Sequence, residues 1–380
     1  MAELLLELFS EEIPARMQQA AAEQLRATVA ARLTDANLAF RHAGAFVTPR
    51  RLTLVVDGLP ARQPDVAEER RGPHTGAPQK ALDGFMKSAG LTSLDGLERR
   101  TVGGAEYYYL RRATPGRETP AVLAEIVRDT VSGFAWPKSM RWGADAMRWV
   151  RPLQNVLCLF DGRVVDVDLG AHGLRANNVT WGHRFMAPAP IVVTNFEQYQ
   201  RALRDAYVVL DFGERRAIAK LRGIALARDE GLVMPDDDAL IDEVTGLVEW
   251  PVPLVGSIDA RFMRLPREVL TTTMRANQKY FALETPDGAL APRFVVVANI
   301  AANDGGAAIV AGNERVLRAR LSDARFFWEH DRTEYGDGRV TGVVYRMAGE
   351  GCVAYAHFEI EPSGHLAYGH KWMHDALAGE

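Results

Sequence analysis

Short apolar runs of strand character and longer runs of helical spacing follow one another along this 380-residue chain in no regular order. Residues 4–9 are a nearly continuous apolar run, which is typical of a buried strand. Met17, Ala21, Leu25 and Val29 then recur at every fourth position, which predicts a helix lying on a sheet. Because the elements do not repeat as strand–helix–strand units, the chain is predicted to be α+β, with mixed sheets, packed helices and at least two domains.

Other segments give more local predictions. Residues 46–56 alternate as one strand, and Pro49 is expected either to confine that strand to an edge of its sheet or to lie among its first residues. Residues 60–80 are rich in proline, glycine and charge and are predicted to be a loop. Residues 155–160 and 164–169 are predicted to pair as a hairpin across an Asp-Gly turn. Further strands are predicted at 107–112, 179–185, 280–283 and 294–300, and helices at 81–89, 120–134, 196–206, 213–230, 240–248, 266–275 and 313–331.

The bulk composition indicates a globular protein. Hydrophobic residues make up 47% of the chain and charged residues 25%, so a folded core rather than disorder is expected. The formal net charge of -4 argues against a generally basic nucleic-acid-binding protein but allows a local basic patch. Cys158 and Cys352 are too few for a disulfide framework, no run is long enough to cross a membrane, and the first residues lack a basic signal-peptide region. A cytoplasmic location is therefore expected.

Motifs for nucleotide binding and nucleophilic catalysis are absent from the sequence. It contains no GxxxxGK[ST] loop, no GxGxxG turn after a predicted strand and no GxSxG elbow. We therefore expect no Rossmann or P-loop unit and assign no catalytic residue to this chain.

An acidic group, formed by residues 236–238 with Asp242 and Glu243, has two interpretations. Its carboxylates could bind a divalent cation, because such ions prefer oxygen ligands. Alternatively, they form the acidic first turn of an exposed helix, where negative charge complements the helix dipole. The helix interpretation is favoured.

Histidines are concentrated near the end of the chain. His370 and His374 are four residues apart, close to His365, and that spacing can bind zinc on a helix. Lys371, however, replaces the glutamate of the HExxH pattern. No metal site is predicted.

Aromatic and cationic residues alternate between Trp136 and Arg151. Arginine neutralises phosphate while aromatic rings stack on unpaired bases, so the segment could contact RNA. Alternatively, the tryptophans belong to the core and the cations line a loop. The tRNA- or subunit-contact candidates in this segment are Arg141, Trp142, Arg148 and Arg151.

Further contact candidates lie at element ends and on one helix. The polar run at 275–280 ends a predicted helix and fits an ordinary helix end as well as a contact surface. The pair at 183–184 lies near the end of the strand predicted at 179–185 and could contact phosphate or be a plain strand-end polar pair. The cations at 315 and 318 lie away from the apolar stripe of their predicted helix. The residues concerned are His183, Arg184, Arg275, Asn277, Gln278, Lys279, Tyr280, Arg315 and Arg318.

Seven sequence blocks, in order from about residue 3 to about residue 332, resemble the β subunit of bacterial glycyl-tRNA synthetase (glycine–tRNA ligase). A series of seven ordered blocks is far more specific than any single motif. The blocks are LLLELFSEEIPARM, TPRRLTLVV, RRGP, SMRWGADAMRWVRPL, TWGHRF, LIDEVTGLVEWPVPLVGSIDARFMRLPREVLTTTMRANQKYFAL and GNERVLRARLSDARFFWEHD.

The resemblance implies a subunit of an α2β2 class II ligase that attaches glycine to tRNA(Gly). In that family the α subunit binds glycine and ATP with magnesium, so no cofactor is expected on this chain. The β subunit is associated with assembly and tRNA binding. The α subunit and tRNA(Gly) are therefore the expected partners.

The change to longer helices near residue 195 predicts one domain at 1–195 and a second at 196–332. Members of the family continue after the FFWEHD block into an HD-type domain and a helical anticodon-binding domain, and residues 333–380 resemble neither. The chain is thus interpreted as the N-terminal portion of a β subunit. Two alternatives remain: a non-catalytic RNA-binding or interaction module, and an inactive truncation product.

Overall fold

The computed structural model of the chain describes residues 2–143, 147–170, 173–334, 340–348, 352–360 and 366–369, with side chains up to residue 329 other than 66 and 68. Helices and several separate sheets occur together, and pairing is antiparallel except between two short segments. The predicted α+β class is confirmed.

The elements up to residue 192 are β1 (Ala2–Ser10), α1 (Ala15–Asp35), β2 (His42–Thr48), β3 (Arg51–Leu59), β4 (Val66–His74), α2 (Gln79–Ala89), β5 (Glu98–Val102), β6 (Ala105–Thr114), α3 (Thr119–Ser132), β7 (Leu153–Phe160), β8 (Arg163–Val164), β9 (Ala176–Asn177), β10 (Val179–Trp181) and β11 (Pro190–Val192). They are followed by α4 (Phe196–Asp205), α5 (Phe212–Asp229), α6 (Asp238–Thr245), β12 (Val252–Ser257), α7 (Arg267–Thr272), β13 (Phe281–Glu284), β14 (Leu290–Ala298), α8 (Ala307–Glu334), β15 (Val340–Ala348), β16 (Cys352–Ile360) and β17 (Leu366–Gly369).

The largest sheet has the order β2-β3-β1-β7-β8, and β9 runs parallel to β7 at its side. Successive side chains of a strand point to opposite faces, so β1 contributes to two cores. Leu4 and Leu6 pack with α1 and α3, whereas Leu5 packs with α4 on the other face. Glu7 lies on this second face with no exposed surface, so its carboxylate needs partners inside the protein.

A second sheet, of order β12-β14-β13, also separates two cores. Val295 of β14 packs with α5 and α6, and the adjacent Phe294 packs with Leu317 of α8. The two sheets are joined where α1 meets the end of α6: the Gln18 amide donates to the carbonyl of Gly246 at 2.6 Å. A Cβ at position 246 would lie 2.5 Å from the Cβ of Ala15, so this close approach requires glycine. The predicted boundary near residue 195 stays a prediction.

The prediction of a loop at 60–80 is wrong, because β4 occupies Val66–His74 and α2 begins at Gln79. β4 pairs with the aromatic strand β6, and the guanidinium of Arg71 lies 3.7 Å from the centre of the Tyr107 ring. The charges that suggested a loop are accommodated on an exposed sheet surface, where Arg100 pairs with Glu69 at 2.9 Å.

The single strand predicted at 46–56 is in fact a hairpin, in which β2 ends at Thr48 and β3 begins at Arg51. Pro49 lies in the turn, where its missing N–H is no disadvantage. β3 then runs between β2 and β1, so the edge alternative is wrong; Pro49 instead lies just before the first residue of β3.

Three other predicted elements differ from expectation in length or in type. The strand at 164–169 is reduced to β8, although the N–H of Val165 still donates to the Cys158 carbonyl of β7 at 3.0 Å. The strand at 179–185 ends at Trp181. The helix at 266–275 becomes α7, which ends at Thr272 and continues as a π-helix over Thr273–Gln278.

Part of the predicted tail at 333–380 also has regular backbone. β15, β16 and β17 form an antiparallel sheet. Among the described residues, no helix combines the length and apolarity needed to cross a bilayer.

Candidate functional site

A buried arginine connects the large sheet to the segment that leads into the second sheet. Arg51, at the start of β3, has no exposed surface and forms ion pairs with Glu7 and Glu249. Its Nη2 donates to the carbonyl of Trp181 at 2.8 Å. Burial acts to lower the pKa of Arg51, but attraction to Glu249 and Glu7 raises it overall, so the guanidinium stays charged.

The second carboxylate of this network is held by hydroxyl groups. Glu7 Oε2 accepts from the hydroxyl of Tyr199 at 2.6 Å and from Thr180 at 2.9 Å, and Thr53 contacts the same tyrosine hydroxyl at 2.8 Å. Burial raises the pKa of Glu7 above its usual value. Because the network is enclosed, its direct role is to fix the ends of β1, β3 and β10 relative to the segment that carries Glu249.

A pocket opens next to this network, at the ends of β1, β3, β7 and β10. We call it the sheet-end pocket; its volume is about 300 Å³. The Phe9 and Trp181 rings stack at 5.5 Å, and the Arg50 guanidinium lies 4.6 Å from the Phe9 centroid. The lining residues are Phe9, Arg50, Gln154, Trp181, Gly182, Arg184 and Pro188.

The rim of the sheet-end pocket is polar. Glu11 accepts from Arg184 at 2.5 Å and from the Gln154 amide at 2.6 Å. Below the rim, His183 is buried and its Nδ1 accepts backbone N–H groups of Phe185 and Met186, both at 3.3 Å. Burial lowers the pKa of His183, which favours the neutral imidazole that accepts these two N–H groups; its contact with phosphate stays a prediction.

A second concave surface lies between the 3-10 turn at Ala260–Phe262 and the C-terminal half of α8. We call it the α8 groove; its volume is about 640 Å³. Arg261 pairs with Asp259 at 3.3 Å and Arg325 with Glu329 at 2.6 Å, whereas Arg264 has no ion-pair partner among the described side chains. The lining residues are Ala260, Arg261, Arg264, Leu265, Arg325, Trp328 and Glu329, which carry a net positive charge.

Comparison with known proteins identifies the family. The sequence profile described as "Glycyl-tRNA synthetase beta subunit" matches residues 4–345. The chain belongs to the glycyl-tRNA synthetase beta subunit family. The match extends beyond Asp331, where the last recognised sequence block ends.

Curated relatives carry the same description. The chain is 51% identical over 353 residues to the glycine–tRNA ligase beta subunit of Rhodospirillum centenum, covering 87% of this chain and 49% of the relative. It is 50% identical over 334 residues to that of Ruegeria sp. and 48% identical over 336 residues to that of Paracoccus denitrificans, covering 87% and 88% of this chain and 48% and 49% of those relatives. The chain thus spans about half the length of these beta subunits.

Within this family member, the aromatic residues of the basic segment belong mainly to the core. Trp149 is completely buried and packs at 5.0 Å on Phe134 and 5.1 Å on Trp136. Trp142 is half-buried against the same core. The cations Arg141, Arg148 and Arg151 are exposed around it, as the core interpretation expects; their contact with RNA or a subunit stays a prediction.

The polar run at the end of the π-helix is largely engaged within the protein. Arg275 pairs with Asp237 at 2.5 Å and Lys279 with Glu243 at 3.0 Å. Tyr280 is buried and its hydroxyl lies 2.5 Å from Asn313 Oδ1. Lys279 has a positive φ of 58°, which ends the π-helix and turns the chain into β13.

Asn277 and Gln278 are half-buried in the same run, and Arg315 and Arg318 are exposed on α8. The nearest acid to Arg318 is Asp259, at 4.0 Å. The structure therefore brings Arg318 near the α8 groove, whereas His183 and Arg184 lie at the sheet-end pocket and the 275–280 run is elsewhere.

The acidic group at 236–243 is neutralised by basic side chains. Arg216 of α5 contacts Asp238 at 2.6 Å and Asp242 at 2.5 Å, and Lys220 contacts Asp236 at 2.8 Å. The hydrogen bond from Arg275 lowers the pKa of Asp237, whose side chain also caps α6. This arrangement agrees with the helix-start interpretation.

No three His, Cys, Asp or Glu side chains among the described residues converge as metal ligands would. His365, His370 and His374 lie outside the described residues.

Sequence reasoning missed the residues that give both concave surfaces their chemistry. Phe9, Arg50 and Trp181 come from three distant segments, although each stands in a recognised block. In the α8 groove, Arg261 and Arg264 lie in the DARFMRL run, where arginines spaced by three mark one cationic side of a turn. The spacing of these two arginines could have identified this cationic surface from the sequence.

Proposed function

We propose that this chain acts as part of the β subunit of a glycine–tRNA ligase and supports ATP-dependent attachment of glycine to tRNA(Gly). The observation that carries this proposal is the 51% identity to a glycine–tRNA ligase beta subunit along 87% of the chain. In the proposed complex, an α subunit binds glycine, ATP and magnesium, and two copies of each subunit assemble in the cytoplasm. This chain supplies assembly and tRNA contacts rather than reacting groups.

The α8 groove is the proposed contact for the tRNA backbone. Three arginines and one glutamate line it, so the local charge is positive although the whole chain is acidic. Arg264 is free of ion pairs among the described side chains, and its charge is available to phosphate. Trp328 adds an apolar wall on which a sugar or base could rest. Phosphate neutralisation releases counterions, so binding at such a groove weakens as salt rises.

Association with the α subunit tests the assembly part. The full chain is mixed with a glycyl-tRNA synthetase α subunit from one of the organisms above, and the mixture is separated by gel filtration with mass determination. A complex containing both chains is expected. Separate elution at micromolar concentrations of both chains would contradict the assembly role.

An RNA-binding module that works without an α subunit is the second candidate. It is favoured by the presence of both concave surfaces with arginine and tryptophan on this chain alone. This candidate predicts that the chain binds tRNA with the same affinity in the presence and absence of the α subunit. It also predicts that the chain does not increase the rate of glycylation. An inactive truncation product would show neither tRNA binding nor association.

A further inference from the structure

We propose that the sheet-end pocket binds one unpaired nucleotide of an RNA, with the base against Trp181 and its phosphate at Arg50. This proposal deepens the proposed function and rests on it for the choice of RNA as the partner. It assigns a ligand to a pocket that is separate from the α8 groove and formed by residues outside it.

The size of the pocket favours a single nucleotide. Its volume of about 300 Å³ is at the lower end of the range for small-molecule sites, enough for one base and its sugar. A duplex keeps its bases paired inside the helix and cannot place one there unless the base is flipped out or lies in a loop. The pocket is therefore expected to distinguish single-stranded from double-stranded RNA.

The chemistry of the lining also favours a base. Trp181 is half-buried and stacks on Phe9, which holds the indole ring in a fixed orientation. The planar guanidinium of Arg50 lies against Phe9, and its Nε has no hydrogen-bond partner among the described residues. An aromatic plane with an arginine beside it is the arrangement on which bases stack in single-strand-binding proteins.

The supporting structure makes the pocket rigid before any ligand arrives. The backbone carbonyl of Trp181 is fixed by the buried Arg51, the residue next to Arg50. Gly182 allows the following turn to approach closely, since a Cβ there would lie 2.5 Å from the Cβ of Ala206. Pre-organisation of this kind reduces the entropy lost on binding.

Charge at the rim is compatible with one phosphate. Arg50 and Arg184 face the pocket, and Glu11 pairs with Arg184 from outside the lining. One positive charge is therefore left uncompensated among these groups. The charge of a single phosphate group at Arg50 would be neutralised, whereas a longer anionic segment would be repelled by Glu11.

The test uses the full chain and a fluorescein-labelled single-stranded oligoadenylate, with an RNA duplex of equal length for comparison. Trp181→Leu removes the stacking plane, and Arg50→Gln removes the charge assigned to the phosphate. Each is expected to weaken single-strand binding about ten-fold, Trp181→Leu through the loss of one stacked base and Arg50→Gln through the loss of one phosphate contact. Duplex binding is expected to change little. Arg112→Gln on the exposed strand β6 is the matched charge control and is expected to bind as the unmodified chain does.

Two further measurements distinguish the loss of a nucleotide contact from misfolding of a variant. Trp181→Phe keeps an aromatic plane and is expected to retain most of the affinity, so a loss in Trp181→Leu alone identifies stacking. Oligonucleotides containing 4-thiouridine are expected to cross-link on irradiation to a peptide that carries Trp181 or Arg50.

Any of three results would overturn the proposal: no measurable binding of the oligonucleotide, binding by Trp181→Leu and Arg50→Gln as tight as that of the unmodified chain, or cross-links only elsewhere. Loss of α-subunit association by these variants with unchanged oligonucleotide binding would instead identify a protein-docking pocket and also overturn it. The subunit role fails separately, when the unmodified chain neither associates with the α subunit nor supports glycylation.

Discussion

The guanidinium of Arg51 pairs with the carboxylate of Glu249 inside the protein, across 198 residues of sequence. The two side chains are 0% and 2% exposed. Arg51 begins β3 of the large sheet, and Glu249 lies between α6 and β12 of the second sheet. The pair therefore fixes the position of one sheet relative to the other, and with it the sheet-end pocket.

Replacing Glu249 is expected to destabilise the fold strongly. Glu249→Gln leaves the Arg51 charge buried with Glu7 as its remaining carboxylate partner, and breaking a buried pair costs about 3–5 kcal/mol. Urea unfolding measures this loss. Glu197→Gln, which breaks the exposed pair with Arg201, is the control and should cost less than about 1 kcal/mol. Equal losses in both variants would show that the buried pair has no special structural role.

Cys158 is expected to be chemically inert in the folded protein. Burial raises the pKa of its thiol to about 12, so almost none is thiolate at pH 8. In a Cys352→Ser background, the chain should not react with a disulfide reagent until denaturant is added. Rapid labelling of the native chain at pH 8 would show that β7 is not buried as described.

Burial of His183 is expected to make the fold less stable as the pH falls. Burial lowers the pKa of His183 in the folded chain, whereas the unfolded chain takes up the proton near the ordinary value of about 6.5. This stabilisation is present above that pH and is lost as the pH falls towards the lowered folded value. The difference in unfolding free energy between the unmodified chain and His183→Gln should therefore shrink between pH 7 and pH 5. A difference independent of pH would exclude this assignment.

Two exposed arginines should differ in their effect on tRNA binding, if the proposed function holds. Arg264→Gln is expected to weaken tRNA binding and to reduce the slope of log affinity against log salt by about one phosphate contact. Arg275→Gln should change neither, because Asp237 already neutralises that charge. The measurement is tRNA affinity over a range of salt concentrations. The reverse result, weaker binding only in Arg275→Gln, would indicate that tRNA contacts the end of the π-helix rather than the α8 groove.

Local pattern predicts local structure well in this chain. The apolar residues at every fourth position from Met17 onwards correctly predicted α1. An amphipathic stripe specifies a helix on a sheet without reference to distant residues. β4 was missed because its proline, glycine and charges have low strand propensity, and pairing with β6 overrides that propensity.

The site residues depend on contacts that no local pattern encodes. Phe9, Arg50 and Trp181 are separated by long stretches of chain and meet only because β1, β3 and β10 end at the same side of the fold. Similarly, the charges at Arg275 and Lys279 looked free in sequence, and only the fold places Asp237 and Glu243 beside them. Ion pairing between distant segments therefore decides which cations are available to a partner.

Glycylation of tRNA(Gly) by the α subunit, with and without this chain, is the most direct test of the proposed subunit role. Glycine, ATP and magnesium are supplied, and the initial rate of glycyl-tRNA formation is measured after the two chains have been mixed. An increase in rate above that of the α subunit alone is predicted, saturating at the concentration at which the complex forms. An unchanged rate, with the chain shown to be folded, would contradict the proposed role.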